Sequence, residues 1–293
     1  MDEKLKLPIS FEFFPPKTEH GLLSLVQCAE ILSKWEPEYF SVTFGAGGST
    51  QENTLKIVRS LTQKKLTMAP HLTCVGLTKP QIRDLLNQYR AMGITRIVAL
   101  RGDEVGENTS QSCFKFANEL VEFIRLETGN HFFIEVAAYP EFHPQAKSVS
   151  SDLNAFKRKV AAGANRAITQ YFYNVEAYFR FQESCAAHQI SIPVVPGIMP
   201  IRDVQQLIRF SKLCGADLPL WLIKRLASYE GDAVAVQQFG IDVVTRLCER
   251  LIIGGAPGLH FYTLNNLEPT VSILRILGVE RSITASLEYL ETV

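Results

Sequence analysis

Runs rich in β-branched and aromatic residues occupy positions 9–14, 39–44, 68–75, 96–100, 132–139, 166–173, 192–198 and 259–264, and they predict eight strands. Between most of them, apolar residues recur at three- and four-residue spacing, as at Leu22, Leu25, Val26 and Ala29 or at Leu85, Leu86, Tyr89 and Met92, which predicts a helix. The first seven runs follow one another at about thirty residues, the length of one βα unit. Near-continuous apolar strands are expected where helices cover a parallel sheet. The interval before the eighth run is longer, and 203–214, 218–229 and 232–252 supply extra helices there. No linker rich in Gly, Pro or Ser divides the chain. The pattern therefore predicts an α/β protein with one domain over 1–293, a (βα)8 TIM barrel with extra helices between strands seven and eight. An open doubly wound sheet shares the alternation and is the alternative. The strand ends favour the barrel, because nearly every one is polar or aromatic and only a closed barrel brings all of them to one mouth.

Composition narrows the function. Thirty Lys plus Arg balance thirty Asp plus Glu among 293 residues, so no broad field exists to hold nucleic acid or an anionic bilayer. The first residues lack the apolar core of a secretory signal and no apolar run suits a membrane span, so a cytoplasmic protein is expected. Six scattered cysteines include no CxxC pair, and no metal site is expected. GxGxxG and GxxxxGK are both absent.

The strand ends carry the candidate chemistry. The first, FEFFPPKT, sets Glu12 among Phe11, Phe13 and Phe14. Loss of water there is expected to raise the carboxyl toward the range of a general acid, and a carboxylate ion-paired inside the barrel is the competing reading. The second offers Thr43 and a glycine-rich turn, and the third offers His71 and Thr73. A lone His at a strand end is more often a hydrogen-bonded structural residue than a catalyst. The fourth, IVALRGD, places Arg101 and Asp103 on one side of the chain with Gly102 between them; this suits a polar cofactor edge or, nearly as well, a mutual salt bridge. The fifth clusters Tyr139, Glu141 and His143 before a helix opening near Ser151 and Asp152. Asp152 and Lys159 lie seven residues apart on it and share a face. The sixth presents Gln170, an amide able to donate and accept at once, and the eighth presents Tyr262, Thr263 and Asn265. Phe210, on a helix, is a core residue by default.

Taken together, FEFFPPKT, SVTFGAGG, APHLTC, IVALRGD, AAYPEFHPQA, DLNAFKRKVAAGANRAITQYFY, PGIMP and HFYTLN resemble, in order and over about residues 9–266, the methylenetetrahydrofolate reductases in their short bacterial form without a regulatory domain. The resemblance implies an (αβ)8 barrel with non-covalent FAD, reduced by NADH or NADPH. The hydride then passes to 5,10-methylenetetrahydrofolate, and the 5-methyltetrahydrofolate formed feeds methionine synthesis. It implies that Thr43, His71, Arg101, Gly102, Asp103, Tyr139, His143, Asp152 and Lys159 line the FAD site. It further implies that Glu12, Asp103, Gln170, Gln206 and Phe210 serve folate and nicotinamide, with Glu12 and Asp103 catalytic. A pocket shared by the two substrates implies ping-pong turnover, and the family forms homo-oligomers.

One position departs from the pattern. After HFYTLN the family usually carries an arginine that helps to hold the folate, and this chain has Asn266. Losing that charge-assisted partner costs about 1.5–3 kcal/mol unless something compensates, and Arg202 and Arg275 are the candidates. Two further readings follow, a related flavin barrel acting on an altered folate or pterin and a non-catalytic FAD- or folate-binding subunit. A mere binder has no need of a proton donor beside a cation-stabilising carboxylate.

Overall fold

The computed structural model describes residues 7–44, 51–102, 113–229 and 231–279. Strand β1 (Ile9–Phe13) is followed by α1 (Glu19–Leu32), a 3-10 turn at Ser33–Trp35, β2 (Tyr39–Val42) and α2 (Gln51–Gln63). Next come β3 (Met68–Thr73), α3 (Lys79–Ala91), β4 (Arg96–Leu100), α4 (Ala117–Thr128), β5 (Phe133–Ala138), α5 (Val149–Ala161), β6 (Arg166–Thr169) and α6 (Val175–Ala187). The seventh strand is broken by Pro196, which has no N–H to give to a ladder, into β7 (Val194–Val195) and β8 (Gly197–Ile198). Three helices follow, α7 (Val204–Cys214), α8 (Leu220–Ala227) and α9 (Ala233–Ile253), before β9 (Leu259–Tyr262) and α10 (Thr270–Ile276).

All pairings are parallel and the strand order is β7-β6-β5-β4-β3-β2-β1-β9-β8. Because β7 and β8 are two pieces of one predicted strand, this order brings the sheet round to its own start. The barrel is the predicted one, with the extra helices in the predicted interval. Helix starts are set by side-chain caps: Thr18 accepts from Gly21 N–H at 3.0 Å, Asp203 from Gln206 N–H at 2.6 Å and Asp232 from Ala235 N–H at 2.9 Å. Helix α5 opens at Val149, slightly earlier than predicted, because the Ser148 hydroxyl accepts from Ser151 N–H and ends the preceding loop there.

The strands differ from the expectation of apolar faces on both sides. Alternate residues Ile9, Phe11 and Phe13 join the large core beneath the helices, and so do Phe40, Val42, Leu259 and Phe261. The intervening residues face into the barrel, and many are polar: Ser10, Tyr39, Ser41, His71, Glu135, Arg166 and His260 are all buried. Period-two alternation lets one strand serve an oily outer face and a polar inner one. A small apolar layer of Tyr39, Ala69, Val98 and Ile168 fills the barrel centre. At its floor Glu135, fully buried, accepts from Tyr39 Oη at 2.6 Å and pairs with Arg96 and Arg166; Arg166 also reaches Glu38 at 2.6 Å. Each buried charge therefore has partners, which is the condition for keeping it there.

Candidate active site

A cavity of about 910 Å³ opens where the strands end, near the upper limit for small-molecule sites. Parallel register brings Glu12 beside Ser41 of β2 and Tyr262 of β9, so the carboxylate stands at the cavity floor. Its Oε2 lies 3.3 Å from His260 Nε2, in a hydrogen bond, and 3.2 Å from His71 Nε2, at ion-pair distance but without hydrogen-bond alignment. Burial alone would lift this carboxyl. The two imidazoles outweigh it and hold Glu12 down at about 2. The sequence expectation of a raised Glu12 is therefore corrected: strand neighbours on the inner face, invisible in FEFF, supply two imidazole partners, and the three phenylalanines lie elsewhere. Phe11 and Phe13 are in the outer core and Phe14 is exposed. The carboxyl that burial does lift is Glu141, pushed up to about 7 although it accepts a hydrogen bond from Asp217 N–H at 2.8 Å.

The predicted residues fall into three groups. Thr43, His71, Arg101, Gly102, Tyr139, His143, Asp152, Lys159, Glu12, Gln170 and Phe210 all line the cavity. Gln206 does not; its backbone N–H serves the Asp203 cap in the first turn of α7. Asp103 lies outside the described residues, as does the tail that starts at Arg281.

Several features of the wall suit a long ligand with an anionic middle and aromatic ends. The buried Thr43 hydroxyl has no hydrogen-bond partner among the described residues. Lys147, Arg158, Lys159 and Arg101 face the same space. Burial pushes Lys159 down to about 8 against the opposing pull of Asp152, and its ammonium donates to Ala137 O. Asp152 in turn accepts from His143 N–H at 2.9 Å, and the Tyr139 and His143 rings meet edge to face at 4.6 Å, which fixes the loop beside the cations. Gly102 has φ +88°, and a Cβ there would sit 3.0 Å from the Thr73 Cβ, so the chain passes close under the wall only as glycine. Phe116, Phe210 and Leu213 give the rim apolar area. These groups fit an aromatic dinucleotide such as FAD. Among the described residues no group of three His, Cys, Asp or Glu side chains is arranged to hold a metal ion, and no helix is long and apolar enough to cross a membrane.

Sequence reasoning passed over His260. Its signal was present as an unexplained polar residue between Leu259 and Phe261 in an outwardly apolar strand. At position 266 the missing arginine has a neighbour: Arg202 donates to Asn266 Oδ1 at 2.6 Å, bringing a guanidinium beside that site.

Comparison with known proteins gives a consistent result. Residues 1–278 match the family model described as methylenetetrahydrofolate reductase. The chain is 38% identical over 275 residues to a 5,10-methylenetetrahydrofolate reductase of Pectobacterium carotovorum subsp. carotovorum, covering 94% of this chain and 91% of that one. It is 37% identical to the protein of the same name from Escherichia coli strain K12, covering 94% and 92%. Among solved structures, a Clostridium thermocellum protein described as binding two copies of 5-methyl-5,6,7,8-tetrahydrofolic acid superposes with a TM-score of 0.67 at 17% identity, covering 98% of this chain and 97% of that one; at this identity it speaks for the fold.

Proposed function

This chain belongs to the methylenetetrahydrofolate reductase family, and from that premise we propose that it reduces 5,10-methylenetetrahydrofolate to 5-methyltetrahydrofolate with non-covalent FAD, NADH or NADPH as donor, and ping-pong turnover. The observation that carries the reading is a carboxylate within 3.3 Å of two imidazoles at the floor of a cation-lined cavity.

FAD, when bound, supplies storage for a hydride between the two half-reactions. The protein's own tasks are to bind, to orient and to move one proton. Arg101, Arg158 and Lys159 offer charge to a diphosphate, and the Thr43 hydroxyl, without a hydrogen-bond partner among the described residues, offers a donor to a polar ring edge. Phe210 presents a half-buried ring with the Arg209 guanidinium 5.1 Å from its centroid, a platform for nicotinamide first and for the folate's aromatic portion later. Gln170 accepts at Oε1 from Tyr171 N–H at 3.0 Å, which leaves its amide protons for a heterocycle.

Opening the folate's five-membered ring breaks the bond from the methylene carbon to N10. The electron pair stays on N10 and takes up a proton, and the N5-iminium left behind is ready for hydride. Glu12 conveys that proton in this reading. Because the imidazoles hold the carboxyl ionised, the proton in waiting resides on the Glu12–His71–His260 cluster and not on Glu12 alone. The carboxylate of Asp103 is assigned to stabilising the cation. Arg202 beside Asn266 is assigned to the substrate's carboxylate in place of the family's arginine.

The test is direct. Purified protein should be yellow, bleach with NADH under argon and regain its colour when methylenetetrahydrofolate is added. Bleaching without recovery would reject the folate as substrate and favour another one-carbon pterin.

A further inference from the structure

Behind Glu12 the barrel interior holds an ordered line of donors and acceptors. His260 is completely buried and is held at both ring nitrogens, Nε2 by Glu12 at 3.3 Å and Nδ1 by the Ser10 hydroxyl at 2.8 Å. Register explains the line, since Ser10 of β1 sits opposite both Tyr39 of β2 and His260 of β9. The Ser10 hydroxyl also faces the Tyr39 phenol and favours its ionised form, as a donor does, while Tyr39 gives its only proton to Glu135 at 2.6 Å.

Counting protons fixes the arrangement. Glu135 is clamped by Arg96 and Arg166, so it is an acceptor and the Tyr39 proton is committed to it. Tyr39 can then only accept from Ser10. With its single proton given to Tyr39, Ser10 must accept from His260, which places a proton on Nδ1. A neutral ring in that tautomer would point a bare Nε2 lone pair at the Oε2 of Glu12, two acceptors facing each other out of water. The contact is favourable only with one more proton between them.

We propose that His260 is the proton store of this site: the line Ser10–Tyr39–Glu135 fixes its Nδ1–H, and the extra proton held between its Nε2 and Glu12 is the one delivered to the substrate's leaving nitrogen. This rests on the reduction proposed above. In the transfer the one extra proton leaves Nε2 for Oε2 and passes on from the carboxyl to N10; the imidazolium becomes neutral, Glu12 is a carboxylate before and after, and no electron is gained or lost by the protein. The groups facing His260 are Ser10 and Glu12 from β1, Tyr39 from β2, His71 from β3 and Tyr262 from its own strand, with Glu135, Arg96 and Arg166 one layer below. His71 is the weaker candidate because its Nε2 is not aligned on the carboxylate. His260 is thus a positioning residue that acts through Glu12.

Two measurements test this. Without cofactor or folate, infrared spectra of protein labelled at the glutamate carboxyls, with the E12Q spectrum subtracted, report Glu12 alone. In the unsubstituted protein the band should stay ionised down to about pH 4, and in His260→Gln it should take up a proton at higher pH, because a cationic partner is gone. An unmoved band overturns the proposal. In anaerobic stopped-flow, His260→Gln should slow reoxidation by folate at least about tenfold more than it slows reduction by nicotinamide. Ser10→Ala, which keeps the imidazole, frees Nδ1 so that the neutral ring can donate from Nε2; the alkaline limb of the folate half-reaction should move to lower pH. Unchanged pH profiles in both variants overturn the proposal. If the unsubstituted protein is not reoxidised by folate, the reductase reading falls, while the infrared measurement still decides whether His260 holds a proton against Glu12.

Discussion

Replacing Glu12 by Gln keeps the side chain's size and removes both the charge that the imidazoles hold and the path for a proton. Reoxidation by methylenetetrahydrofolate is expected to fall by about 10²–10⁴-fold, and flavin reduction by NADH far less, as read by absorbance in single-turnover mixing. Equal loss in both would remove Glu12 from the proton path. Arg202→Ala should raise the folate KM by roughly tenfold, one charge-assisted hydrogen bond, with kcat little changed in steady-state assays. An unchanged KM would show that position 266 is uncompensated. Glu141 sets a different test. Its folded pKa of about 7 lies above the model-peptide value of 4.5, so its contribution to stability is fully present below pH 4.5 and is lost as pH rises through 7. Glu141→Gln retains the acceptor for Asp217 N–H and loses this dependence. Thermal unfolding of the variant should therefore gain on the unsubstituted protein between those two pH values, by about 1–2 kcal/mol. A parallel pair of curves would contradict it.

The broken seventh strand shows how elements position the site. A strand interrupted by Pro196 still closes the barrel because β7 pairs with β6 and β8 pairs with β9. Gly197 follows the break with its N–H on the Thr169 hydroxyl at 2.9 Å, and a Cβ there would come within 2.2 Å of Thr169 O and 2.6 Å of the Tyr262 ring. Tyr262 is thereby pressed between β6 and β9, donating to Thr169 O at 2.7 Å, beside the carboxylate. Gly197→Ala should cost about 1–3 kcal/mol by overpacking, seen as a melting temperature lower by several degrees, and should weaken flavin retention because Tyr262 must move. At the barrel's mouth Asn265 does the reverse of a break: its amide accepts from Phe14 N–H at 3.0 Å and donates to Phe14 O at 2.8 Å, which ties the ends of β1 and β9 together.

At the scale of the whole molecule, the outer core is oily and the inner one is partly ionic. Glu135→Gln would leave Arg96 and Arg166 facing an amide in the barrel floor, and about 3–5 kcal/mol of stability should be lost in urea unfolding. A loss below 1 kcal/mol would mean that the floor is wetter than the burial of Glu135 implies. The alternation of strand and helix, the extra helices before the last strand and most of the cavity wall were legible in the sequence, because periodicity and strand-end chemistry are local properties of the chain. Asp152 and Lys159 share the cavity as their seven-residue spacing requires. Gln206, carried over by family motif alone, is not among the residues that line the cavity, and its backbone N–H is taken by the Asp203 cap. The sequence by itself thus determined most of the residues that reach the barrel's mouth. Only the tertiary structure decided the charge state of Glu12, since that depends on imidazoles 59 and 248 residues away brought within 3.3 Å by the parallel register of separate strands. Electrostatic energy depends on distance through space, and that distance is set by closure of the barrel.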